Sequence, residues 1–149
     1  MKKIIVDTNI IFSCLLNSQG TIGDLVFNSD AVFDFYSNEY MRFEMHKHWD
    51  RLLKISKLTN PQLQTAYDKL LAKITFINEE LIPQKVWKRA ETLVADIDID
   101  DTDFVALTIH LKSSLWTGDK PLYDGLKAKR FRTIYNTVNL LQLRNKRAK

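Results

Sequence analysis

An α/β fold, with a five-stranded parallel sheet and helices on both faces, is what the sequence predicts, and three observations predict it. Short apolar runs rich in β-forming residues recur five times. Segments with apolar residues spaced three and four apart lie between them, and strands that alternate with helices form parallel sheets. No internal repeat, low-complexity tract or Gly/Ser/Pro-rich linker interrupts the pattern, so residues 1–149 are expected to form one domain.

The elements follow in order. "KIIV" (3–6) is a β-branched strand ending at Asp7, and "IIFSCLL" continues as a helix too apolar for a surface segment. "AVFDFYS" (31–37) alternates and reads as the second strand, followed by a helix over 38–56 with Tyr40, Phe43, Leu52 and Leu53 among its apolar positions. Asn60 and Pro61 open a third helix, "QLQTAYDKLLAKI", and "ITFIN" (74–78) is the third strand. A helix from about Pro83 to Val94 starts on a proline, whose missing N–H is harmless in a first turn. In "DDTDFVALTIHL", Phe104, Leu107, Thr108 and Leu111 share one helical face, and the acids precede them as they should at a positive helix N-terminus. "SSLWT" is strand four, "PLYDGLKAK" a short helix, "FRTIY" strand five and "TVNLLQLRNKR" a terminal helix.

At 149 residues, 45% hydrophobic, the chain can bury an ordinary core. No apolar run reaches the roughly 20 residues of a membrane span, and Asp7 falls where a signal peptide would remain apolar. A soluble, cytoplasmic protein without a membrane partner is the expectation. The lone Cys14 has no internal disulfide partner and sits among apolar residues, as a small core residue does. The net charge of +4 is unevenly spread: "DIDIDDTD" (96–103) carries five aspartates, whereas Lys127 to Lys149 carry eight Lys or Arg and no acid follows Asp124. Such a distribution fits either a polyanion held near a cation site or a solvated basic terminal helix.

In a parallel sheet, ligands bind outside the C-terminal strand edge. Asp7 follows strand one and Asp119 lies just past strand four; Asp98 and Asp101, three apart, can face the same pocket if their helix begins near that edge. Carboxylates that share a pocket repel and take up protons unless a cation compensates them. Oxygen ligands suit Mg²⁺ or Mn²⁺, and the chemistry they permit is phosphodiester hydrolysis. Helix capping is the structural alternative for Asp100, Asp101 and Asp103, a turn for Asp7, and a solvated surface for Glu39 and Glu44.

Taken together, "IIVDTNIIFS", "SNEYMRFEM", "DIDDTDFVAL" and "LWTGDK", in that order and spacing, resemble the PIN-domain family of metal-dependent nucleases over nearly the whole chain. The resemblance implies a three-layer α/β/α sandwich, an acidic pocket for Mg²⁺ or Mn²⁺, and hydrolytic cleavage of single-stranded RNA. Many small bacterial members are the toxin of a toxin–antitoxin pair, so an antitoxin protein and a homodimer are the implied partners. By position, Asp7, Glu44, Asp101 and Asp119 match the family's acids and Asp98 an additional one; Asn9 matches a polar residue supporting Asp7 by hydrogen bonding, and Thr117 a hydroxyl beside Asp119. Glu39 is the alternative to Glu44, and Asp100 and Asp103 are alternatives to Asp101.

Lys120, beside the expected pocket, is a candidate phosphate contact or an exposed loop lysine. His46, Lys47 and His48 could meet RNA or be plain surface; His110 reads as structural, Trp116 as sheet core, and Trp49 and Trp87 as core or interface. Two other functions remain open: a PIN-like module that binds RNA or protein without cleaving, and an acid-pocket phosphatase. The second is disfavoured because Asn9 stands where one large phosphatase class needs a second aspartate.

Overall fold

The structure, a computed structural model, describes residues 1–148. Five strands, β1 (Lys2–Val6), β2 (Phe33–Asn38), β3 (Ile74–Ile77), β4 (Ser114–Trp116) and β5 (Ile134–Tyr135), form one sheet in the order β3-β2-β1-β4-β5. Every pairing is parallel, as expected, with Ile5 opposite both Tyr36 and Leu115. The chain builds outward from β1 to β2 and β3 on one side, then crosses to β4 and β5 on the other. The order therefore reverses between β1 and β4, and a crevice opens where the connections diverge.

Strand alternation divides the core in two. Ile4 and Val6 join Phe33, Phe35 and Trp116 against α1 (Thr8–Leu16), α2 (Thr21–Phe27), α3 (Tyr40–Lys47), α4 (Trp49–Ser56), α5 (Asn60–Leu71) and α9 (Thr137–Ala148). Ile5, Leu115 and Ile134 face the opposite way onto α6 (Gln84–Val94), α7 (Thr102–His110) and α8 (Lys120–Ala128). This is the expected three-layer α/β/α sandwich. Because Val105, Ala106 and Leu107 are all fully buried, α7 lies between the sheet and α6 rather than presenting one apolar stripe. Cys14 is buried in the first core, and burial pushes its thiol up to about 11, in keeping with a packing role.

Some boundaries differ from the sequence expectation. The helix expected over 38–56 is two helices that break at His48, because Trp49 is held against α5 through its Nε1–H to Asn60 Oδ1 (2.9 Å) and its edge contact with Tyr67. Helix α2 was not expected. Strand five shrinks from "FRTIY" to Ile134–Tyr135, which lie opposite Leu115 and Trp116 of β4. Among the described residues no single helix is long and apolar enough to cross a membrane; α1 and α2 qualify only jointly, at a bend of 106°, and their apolar residues lie in the core.

Candidate active site

Three helices begin at the reversal point, and an aspartate stands at the start of each. Asp7 leaves β1 and caps α1, its Oδ1 accepting from the Ile10 N–H at 2.9 Å. Asp119 leaves β4 and caps α8, its Oδ1 accepting from the Leu122 N–H at 3.1 Å. Asp101 ends the 3-10 turn Ile99–Asp101 that leads into α7, but its side chain makes no cap bond. The positive ends of α1, α7 and α8 thus meet carboxylates, which accounts locally for these residue types. Capping covers Asp7 and Asp119 only. Asp101 Oδ2 is buried with no hydrogen-bond partner, and nothing in the local fold requires it there.

Thr117 ties two of these acids together. Its hydroxyl donates to Asp7 Oδ2 at 2.9 Å and accepts from the Asp119 N–H at 3.0 Å. Asp7 is only 3% exposed, and burial, the largest cause, raises its pKa to about 6 against the opposing bonds from Ile10 and Thr117. Asp101 rises to about 7, first from burial and then from the charges of Asp98, Asp119 and Asp7. These groups therefore lie within electrostatic reach of one another. Asp103 is also held above the ordinary range, by burial and then by Glu79, Asp100 and Glu44.

A cavity of about 720 Å³ takes in Asp7, Asn9, Glu44, Asp98, Asp101 and Asp119. Their placement within it is uneven. Glu44 on α3 lines one side, its Oε2 3.4 Å from His48 Nε2, and hydrogen bonding to it, then its charge, raises the pKa of the Tyr40 hydroxyl. Asp98 is exposed at the rim, where its Oδ1 accepts from the Asp100 N–H. Asn9 is exposed, and the Asp7 carboxylate takes its hydrogen bonds from Ile10 and Thr117 rather than from the Asn9 side chain. Glu39 lies outside the cavity, 3.7 Å from Arg42. Lys120 also lies outside, its Nζ donating to Asp124 Oδ2 at 2.8 Å. The cations at the cavity are instead Lys47 and Arg51, and the role of Arg51 is one the sequence reading missed. The signal was there: Tyr40, Glu44, Lys47 and Arg51 follow at spacings of four, three and four, which keeps them on one side of the α3–α4 pair.

The donor set fits a divalent cation of the hard, oxygen-seeking kind. It is all carboxylate, it includes one buried oxygen without a partner, and its members raise one another's pKa values. Among the described residues no three carboxyl, imidazole or thiol groups converge into a ready ligand cluster.

Comparison with known proteins bears on the fold and the family. No curated protein matches the chain. The fold is similar to a crystal structure of VapBC2 from Rickettsia felis bound to a DNA fragment from their promoter, with a TM-score of 0.63 and 15% identity over 90% of this chain and 98% of that one. At that identity the likeness is one of fold. The sequence model described as PIN domain matches residues 5–139, a span running from β1 into α9, and PIN domains are generally nucleases that typically use divalent metal ions. With a match over that much of its length, the chain belongs to the PIN-domain family.

Proposed function

We propose that this protein is a Mg²⁺- or Mn²⁺-dependent endoribonuclease that hydrolyses phosphodiester bonds of single-stranded RNA, working through one domain over residues 1–149. The observation that carries the reading is the buried, unpartnered Oδ2 of Asp101 beside Asp7 and Asp119. A carboxylate oxygen kept from water with no donor is costly unless it is protonated or meets a cation. A binding module has no use for acids concentrated where phosphates must approach.

Asp7, Asp101 and Asp119 would hold the metal, with Glu44 and Asp98 at the flanks of the same cavity. When bound, the cation supplies charge neutralisation for the phosphodiester and a water of lowered pKa. The Thr117 hydroxyl holds the Asp7 carboxylate in place at the cavity, and it holds the Asp119 backbone in register with it. Lys47 and Arg51 draw the RNA backbone toward an otherwise repulsive pocket.

The similarity to VapBC2 supports a toxin role with an antitoxin protein as partner, and a homodimer, implied by the sequence resemblance alone, is part of the same proposal. Incubating a labelled single-stranded RNA pool with Mg²⁺, Mn²⁺ or EDTA tests the activity, with cleavage expected only when metal is present. Incubating the Asp7→Asn protein alongside checks that cleavage belongs to this pocket.

A further inference from the structure

At the opposite end of the sheet from the acidic cavity lies a groove of about 400 Å³ with the opposite charge. It opens where the chain enters β4 and β5, flanked by Ser113 and Thr133. Five cations line it: Arg89 from α6, Lys112 just past α7, Lys129 and Arg130 at the end of α8, and Arg132 leading into β5. No acid is among its lining residues. Lys129 is engaged by Asp96 and by the Leu93 carbonyl, whereas among the described residues Arg89, Lys112, Arg130 and Arg132 form no ion pair.

Two of these cations occupy backbone positions that favour glycine. Lys112 has φ 51° and Arg130 φ 64°. Each follows a helix and closes it with a paired-bond motif: the Ser113 N–H returns to the Thr108 carbonyl and the Lys112 N–H to Ile109, while the Phe131 N–H returns to Leu126 and the Arg130 N–H to Lys127. Glycine is the usual residue at such a left-handed turn, because a side chain there is strained. Here both places hold long cations whose charges end in one groove. A helix C-terminus also welcomes a cation, so stability and binding must be read separately.

We propose that this groove is a second nucleic-acid site, one that grips the phosphodiester backbone of a single strand independently of base sequence. Three arginines present planar donor forks suited to phosphate oxygens, and the Thr133 hydroxyl adds another donor. Crowding cations from three separate segments into one groove calls for a partner with dense, regularly repeated negative charge on a flexible chain. A single strand carries one at every nucleotide. Helix α7 spans nine residues, about 14 Å, with the acidic cavity at its start and the groove at its end. A strand of a few nucleotides is long enough to engage both. The groove stands on its own cations, however, and its test needs no cleavage.

The test measures binding of a short fluorescent single-stranded RNA by anisotropy in EDTA, across a salt series, for wild type and the double variant Lys112→Gly/Arg130→Gly. Glycine relieves the left-handed strain at both positions, so the variant should fold with a melting temperature equal to or above that of wild type. Affinity at low salt should fall about tenfold, and the slope of log K against log salt should flatten by about 1.4, the loss of two phosphate contacts on a single strand. The control Lys57→Gly/Lys146→Gln removes the same charge away from the groove, one of it also from a left-handed position (φ 61°), and should keep the wild-type slope. A higher melting temperature with unchanged affinity and slope would overturn the proposal and reduce both cations to helix caps. Equal weakening by the control would reduce the groove to bulk charge and overturn it too. Loss of poly-glutamate binding with RNA binding intact would assign the groove to an acidic protein instead. The same assay with DNA of equal length separates RNA from single strands in general.

Discussion

The Thr117 hydroxyl donates to Asp7 Oδ2 at 2.9 Å, joining the ends of β4 and β1 across 110 positions of sequence. It also accepts from the Asp119 N–H, so one side chain sets the orientation of two acids. Thr117→Val keeps the shape and removes both bonds. Stability should fall by about 1–2 kcal/mol, and cleavage should fall roughly tenfold or more, as is usual when a supporting partner of a metal ligand is lost. Thr117→Ser should restore most of both. Urea unfolding and initial cleavage rates, read on the same preparations, check this.

The metal-free protein should lose stability as pH rises from about 4 to about 7. Asp7 and Asp101 hold their protons more tightly in the folded chain, at about 6 and about 7, than at the ordinary 3.8 of an unfolded aspartate. Their favourable contribution is complete below the unfolded value and is lost as pH rises through the folded ones. For the nearly fully buried Asp7 the loss is up to about 3 kcal/mol. Urea unfolding in EDTA at pH 5 and pH 8 measures the difference, which the double variant Asp7→Asn/Asp101→Asn should largely abolish.

Metal should reverse that loss. At a Mn²⁺ concentration about 100 times its dissociation constant the folded state gains about 2.7 kcal/mol, and the melting temperature rises with metal concentration. Asp101→Asn should show a much smaller rise at pH 8 while being more stable than wild type in EDTA. Thermal melts with and without Mn²⁺ provide the comparison.

Glu44→Gln and Glu39→Gln should differ sharply. Glu44 lines the cavity, between Tyr40 and His48, whereas Glu39 lies outside it beside Arg42. Cleavage should fall roughly tenfold or more for Glu44→Gln and stay close to wild type for Glu39→Gln. Equal effects would remove Glu44 from the site.

Much of the fold was legible because β1 and β4 are short, apolar and buried on both faces, which leaves an unambiguous run in the sequence. Helix α2 was not legible. Its Gly20 and Gly23 look like turn signals, but Gly23 sits mid-helix because a Cβ there would lie 2.1 Å from the Ser18 carbonyl oxygen. That close approach depends on how the loop before the helix folds back on it. The break at His48 depends on a longer-range contact, since Trp49 is drawn to α5 by a partner 11 residues on. At the site, strand ends and spacing brought forward Asp7, Asp101 and Asp119. Spacing could not say that Asp7 and Asp119 would cap helices while Asp101 would not, because the two outcomes look alike in sequence. Lys120 was singled out for its neighbours along the chain, and its turn toward Asp124 depends on helix α8 carrying both on one face.

The most direct test of the central claim is cleavage of labelled single-stranded RNA by wild type and Asp101→Asn, with Mg²⁺, Mn²⁺ or EDTA, after both are shown to be folded. The account predicts cleavage by wild type that requires metal and is reduced at least about 100-fold in the variant. Cleavage at the wild-type rate by Asp101→Asn, or undiminished in EDTA, would contradict it.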